Sequence, residues 1–115
     1  MIVLNKTILN NEAFEHFERI RRLLCSSEEG VTVGKMMSSP AIHYNKKVFA
    51  FFSSKDKMVF KLGKDYPRDQ MDVTFKEFSP FKNKKPLAGW YEVDYSYLPK
   101  WEPLAREALG LIVKK

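Results

Sequence analysis

Glu92 and Asp94 are the acidic pair in this 115-residue sequence best spaced for acid–base chemistry. On a strand, residues two apart project from one face. Neighbouring carboxylates there can split their pKa values and serve as acid and base. A solvated face salt-bridged to lysines accounts for the same spacing. His16, Cys25 and His43 are the only imidazole and thiol groups. A structural zinc site needs four ligands, usually in close pairs, and these three are scattered. His16 falls on the flank of a helical pattern, His43 within a strand, and both read as surface or hydrogen-bonded residues. Cys25, near a helix end, would need an electropositive pocket to be a reactive thiolate, and reads as a small buried or half-buried residue. Gly30 to Met36 (GVTVGKM) superficially looks like a phosphate loop. That loop requires four residues between its glycines and Ser or Thr after the lysine, whereas three stand here and Met36 follows Lys35. With two histidines and no nucleophile motif, no Ser-His-acid or Cys-His set can be assembled. The residues therefore predict a non-enzymatic chain without cofactor or metal, with a small enzyme using Glu92 and Asp94 as the rival.

A second chemistry lies in the charge. Between residues 46 and 85, eleven Lys/Arg stand against five Asp/Glu, an excess that equals the net charge of +6 for the whole chain. Localised positive charge favours a polyanionic partner through counterion release. The polyanion-binding candidates are Lys46, Lys47, Lys55, Lys57, Lys82, Lys84 and Lys85. Aromatic residues are interleaved with lysines: Phe75, Phe78 and Phe81 among Lys76, Lys82, Lys84 and Lys85, and Tyr44 beside Lys46 and Lys47. Surfaces for single-stranded nucleic acid combine these two features. The same pattern arises where core aromatics alternate with lysines that keep strand edges soluble.

The elements that must position these residues read as follows. Asn10 or Asn11 caps a first helix, with Glu12 and Glu15 in its first turn. Ala13, Phe14, Phe17, Ile20, Leu23 and Leu24 recur at helical spacing. Gly30 and the β-branched Val31–Val33 mark the change to extended structure. Pro40 opens a hairpin region in which Asn45-Lys46 turns Ala41–Tyr44 into Lys47–Phe52, although Gly would suit the second position better. In Met58–Leu62, Met58, Phe60 and Leu62 face one way, and Val59 and Lys61 the other. A short helical turn is expected around Pro67–Asp72, a fourth strand at Val73–Phe78, and a Pro- and Lys-rich loop at Ser79–Pro86. Gly89–Tyr95 alternates, with Tyr91, Val93 and Tyr95 opposite Trp90, Glu92 and Asp94. A last helix covers Lys100–Val113, its stripe made of Trp101, Leu104, Ala105, Ala108, Leu111 and Ile112. Pro103 fits there only in the first turn.

Helix, antiparallel strands, helix predicts an α+β two-layer sandwich, a meander sheet with the N- and C-terminal helices on one face. Residues 1–115 fit one domain, which at this length buries roughly two-thirds of its unfolded surface. The single cysteine and the absence of a signal-peptide pattern point to the cytoplasm, and no apolar run reaches the roughly 20 residues of a membrane span. The run Val48–Phe52 is apolar on both faces: Phe49 and Phe51 are expected on one, Val48, Ala50 and Phe52 on the other. The second face then needs cover. A second copy would make a homodimer, or a protein partner could supply it; a terminal helix or the 79–90 loop with Phe81 and Trp90 would leave a monomer.

The strand residues also carry a family likeness. Lys35-Met36-Met37, Pro40 to Tyr44 (PAIHY), Lys47 to Ala50 (KVFA) and Met58 to Leu62 (MVFKL) resemble the N-terminal domain of the TfoX/Sxy competence regulators. That domain shows a K/R-M-F-G-G segment, a G-L-Y hairpin turn, an "FA" strand (here Phe49-Ala50) and an "L-K" strand (here with Lys61). Pro86-Leu87 before Trp90, and Trp101 followed by Leu104 to Ala108, fit its end. YjbR-like proteins, small α+β domains, are similar at greater distance. Ser38-Ser39 stand where the regulators carry glycines, and the regulators' second, C-terminal domain is not expected in this chain. The resemblance implies the α+β fold and a binding or regulatory module linked to transcription or competence. Weak nucleic-acid binding through the 46–85 region is the alternative.

Overall fold

The computed structural model describes residues 2–53, 56–67, 72–79 and 85–114, with side chains described from residue 12 onward. The expected helical turn at 67–72 falls mostly outside these residues, as do Phe81, Lys55, Lys82 and Lys84. The element order is α1 (Ile2–Ser27), β1 (Val31–Met36), β2 (Ser39–Tyr44), β3 (Lys47–Ser53), β4 (Lys57–Lys61), β5 (Lys76–Glu77), β6 (Trp90–Asp94), a 3-10 turn (Tyr95–Tyr97) and α2 (Leu98–Val113). The strands form one antiparallel sheet in the order β1-β2-β3-β4-β6-β5. The fold is α+β, as expected.

Helix α1 is longer than its sequence signals suggest. Its backbone runs through Asn10 and Asn11 instead of starting there. Residues 2–9 hold neither Gly nor Pro, and an interior Asn costs only a fraction of a kcal/mol, about 0.7 at most. At the other end the Ser26 and Ser27 hydroxyls both donate to the Leu23 carbonyl, and Gly30 at φ +86° turns the chain into β1.

Four strands follow as a meander. Its first two hairpins turn on two left-handed residues each, Met37 (φ 49°) with Ser38 (φ 74°), and Asn45 (φ 49°) with Lys46 (φ 71°). Both turns match the twist of the strands they join. Ser38 takes the left-handed conformation in the tight hairpin that joins β1 to β2.

Between β2 and β3 the register slips: Ile42 faces Ala50, but His43 faces Val48, leaving Phe49 as an extra residue. A bulge of this kind breaks the alternation of side chains. Phe49 therefore joins Ala50 and Phe52 in the cluster that contains the helices, while Val48 packs with Phe51 on the opposite face. This corrects the strict alternation expected for 48–52.

The apolar residues of α1 and α2 share one cluster with Ile42, Phe49, Phe60, Tyr91 and Val93 of the sheet. Phe52 touches both helices, its ring 5.5 Å from that of Phe17 and 6.4 Å from Trp101. Among the described side chains of α1 the buried ones are Ala13, Phe17, Ile20 and Leu24, whereas Phe14 and Leu23 flank the stripe and are 37% exposed. In α2, Leu109 takes the buried place expected of Leu111. Because α2 starts at Leu98, Pro103 is its sixth residue, beyond the first turn. Its side is exposed, so water can satisfy the Pro99 carbonyl that its missing N–H leaves free. The expected strand at 73–78 shrinks to the two residues of β5. Val73 is drawn into the helix-side core, and Phe75 packs against Tyr66 and Tyr91 there.

Candidate binding face of the sheet

The sheet carries a second buried cluster that includes none of the described helix side chains. Ala41, Phe51 and Val59 are buried there, and Met36, Val48, Phe78 and Trp90 pack around them. Phe51 meets Phe78 edge-on at 5.1 Å and Trp90 at 5.8 Å, and is only 2% exposed. Cover for the second face therefore comes from within the chain, and Trp90 is one of the residues expected to give it. The cover is held by three backbone bonds: Phe78 N–H to the Trp90 carbonyl (2.9 Å), Leu87 N–H to Phe78 (2.9 Å) and Trp90 N–H to Leu87 (3.2 Å).

Across one end of this face runs a row of half-buried side chains: His43 on β2, Val48 on β3, Lys61 on β4, Trp90 on β6, then Phe78. His43 is the register partner of Val48, and Lys61 of Trp90. The Lys61 ammonium stands 5.8 Å from the Trp90 ring centre, within cation–π range. The His43 imidazole lies over Gly34. A Cβ there would meet the ring 2.0 Å away, so β1 must carry glycine for His43 to fold down.

The two carboxylates share this face, as the alternation predicts, but the sheet sets a lysine against each. Lys57 is the register partner of Asp94, and Lys76 of Glu92. Asp94 caps the following 3-10 turn by accepting the Ser96 N–H at 3.1 Å. That bond, helped by nearby Lys57, holds its carboxyl below the usual range. Asp94 is thus a fixed anion at neutral pH and a poor proton donor. Among the described residues no three His, Cys, Asp or Glu side chains come together.

The remaining candidates are dispersed. His16 lies between the helices, 6.0 Å from Trp101; burial and then Arg19 lower its pKa against the opposing pull of the Leu98 carbonyl and Glu102. Burial pushes the Cys25 thiol up, with Arg21 opposing, which keeps it protonated. Lys46, Lys47 and Lys85 are exposed, and Lys57 is half-buried. Tyr44 and Phe75 pack into the helix-side cluster, so of the interleaved aromatics only Phe78 is described on the free face. Of the residues that carry the family likeness, Phe49 and Ala50 are core, Lys35 and Met37 exposed, and Met36 and Lys61 belong to the helix-free face. The pairing of Lys61 with Trp90 had no signal in local sequence, since 28 intervening positions separate residues that only strand register joins.

A separate cleft of about 460 Å³ lies beside α2, between Leu62–Pro67 and Leu111–Ile112. On its rim the Tyr66 hydroxyl donates to Glu107 at 2.8 Å. Among the described residues no helix is long and apolar enough to cross a membrane. No protein-family model, curated protein or solved structure matches the chain.

Proposed function

We propose that this chain is a non-catalytic binding module of the kind found at the N-terminus of the TfoX/Sxy regulators, serving transcription or competence regulation. The observation that carries it is the row of half-buried His43, Val48, Lys61 and Trp90 on the face without helices. Large aromatic side chains with a polar edge are the usual anchors of binding surfaces. The row lies next to buried Phe51, which gives it a rigid base. The rival enzyme would work through Glu92 and Asp94. The Ser96 bond to Asp94 and the lysine opposite each carboxylate support a structural part for both.

Hydroxyl-radical labelling of the protein in buffer and in extract of its own cells tests the reading. The reading predicts that extract protects Trp90, Met36 and Phe78 while Leu111 and Val113 on α2 stay as reactive as before. Protection confined to α2, or none anywhere, contradicts it.

A further inference from the structure

The partner's chemistry follows from what surrounds the row. Lys46 and Lys47 sit in and after the β2–β3 turn, next to His43 and Val48. Lys64 follows β4 and Lys85 precedes β6, at the same end of the sheet as Lys61 and Trp90. Among the described residues the anions of this end are Asp65, Glu77, which pairs with Tyr91 just before Phe78, and Glu29 beside Gly30, whose carbonyl accepts the Asn45 N–H at 3.0 Å. Glu28 is drawn off toward Arg106, 3.7 Å away. Cations thus outnumber anions along the row, while Glu92 and Asp94 lie further down the strands, each opposed by a lysine.

Charge alone would suit any polyanion. The rings narrow the choice. Trp90, Phe78 and His43 are separated by strands about 4.8 Å apart, so the row from His43 to Phe78 spans about 19 Å. Half-buried rings on a sheet face, edged by lysines, match the stacking platforms on which unpaired bases lie while their phosphates meet cations. A duplex hides its base faces and gains nothing from such rings. We infer that the helix-free face binds single-stranded nucleic acid, with a base taking the place of the Lys61 ammonium over the Trp90 ring and its phosphates meeting Lys61, Lys46 and Lys47. This rests on the binding-module reading and names its partner.

The chain carries two tryptophans, and Trp101 is fully buried, so a stacked base can quench only Trp90. The experiment titrates the intact chain with a thymidine oligomer of about ten nucleotides, reading tryptophan fluorescence and the anisotropy of a labelled strand. Expected are quenching on binding and a log–log salt slope of about −2, near −0.7 for each of three neutralised phosphates. Trp90→Phe keeps binding within a few-fold, Trp90→Ala weakens it about tenfold, and Lys61→Gln makes the salt slope shallower by about 0.7. If Trp90→Ala fails to fold, Trp90→Phe and Lys61→Gln decide the matter, since neither opens a large gap. A duplex of equal length bound as tightly, or binding without quenching, would reduce the site to bulk charge and overturn the proposal. Oligomer left unbound while extract still protects Trp90 would mean a protein partner, ending this proposal but not the binding-module reading. Neither binding nor protection would end both.

Discussion

At the scale of single residues, the backbone is strained where the sequence offers least help. Asn45 tolerates a positive φ, but Lys46 at 71° and Ser38 at 74° hold conformations that cost a side chain about 1 kcal/mol or more. Lys46→Gly and Ser38→Gly should each raise stability by about 1 kcal/mol, less the entropy glycine adds to the unfolded chain. Urea denaturation measures this, and a loss of stability would show that the turns are not left-handed. His16 makes a second prediction. Its folded pKa lies below the ordinary 6.5, through burial first and Arg19 second. The unfolded chain therefore takes up this proton at higher pH than the folded one, and stability falls as pH drops from about 6.5 through the lowered folded value. His16→Gln should flatten that part of the profile in urea midpoints at pH 7 and below. An unchanged slope would place the titrating group elsewhere.

At the scale of elements, the strands were legible wherever alternation is strict. Trp90–Asp94 and Met58–Leu62 point as their residue types demand, with Tyr91, Val93, Met58 and Phe60 in the helix-side core. Reading failed at Val48–Phe49, because a bulge is a mismatch between two strands and neither strand alone displays it. It failed again at Val73–Phe78, whose apolar residues suit a strand yet are claimed by the helix-side core. Pro103 misled for a related reason. Helix α2 is entered through a 3-10 turn, so its start falls before Lys100. That entry depends on Asp94, and Asp94→Ala should cost about 1 kcal/mol, the usual value of an N-cap. Asp94→Asn, which keeps an acceptor, should cost much less by the same urea measurement. Equal losses would mean that charge rather than capping is what Asp94 supplies.

At the scale of the whole molecule, one sheet is used in two ways. Its helix side holds the fold, through Phe17, Phe52 and Trp101 in contact across three elements. Its other side buries Phe51 against the chain's own Phe78 and Trp90. The chain is accordingly expected to stay a monomer of 13.5 kDa by light scattering across a concentration series. A rise toward twice that mass would mean the face is closed by self-association. Which side packs against the helices could not be read from the sequence, because both sides of β3 are apolar and the covering residues arrive from beyond β4.

This division of labour is tested most directly by comparing the two tryptophans in urea denaturation. Trp101 is fully buried and donates its indole N–H to the Asp94 carbonyl at 3.2 Å, so Trp101→Ala should lose about 3–5 kcal/mol. Trp90 is half-buried on the free face, and Trp90→Ala should lose about 1 kcal/mol while the fold persists. Such a gap is what a residue kept for contact requires. If Trp90→Ala proves as costly as Trp101→Ala, Trp90 belongs to the core, and the helix-free face is packing rather than a binding surface.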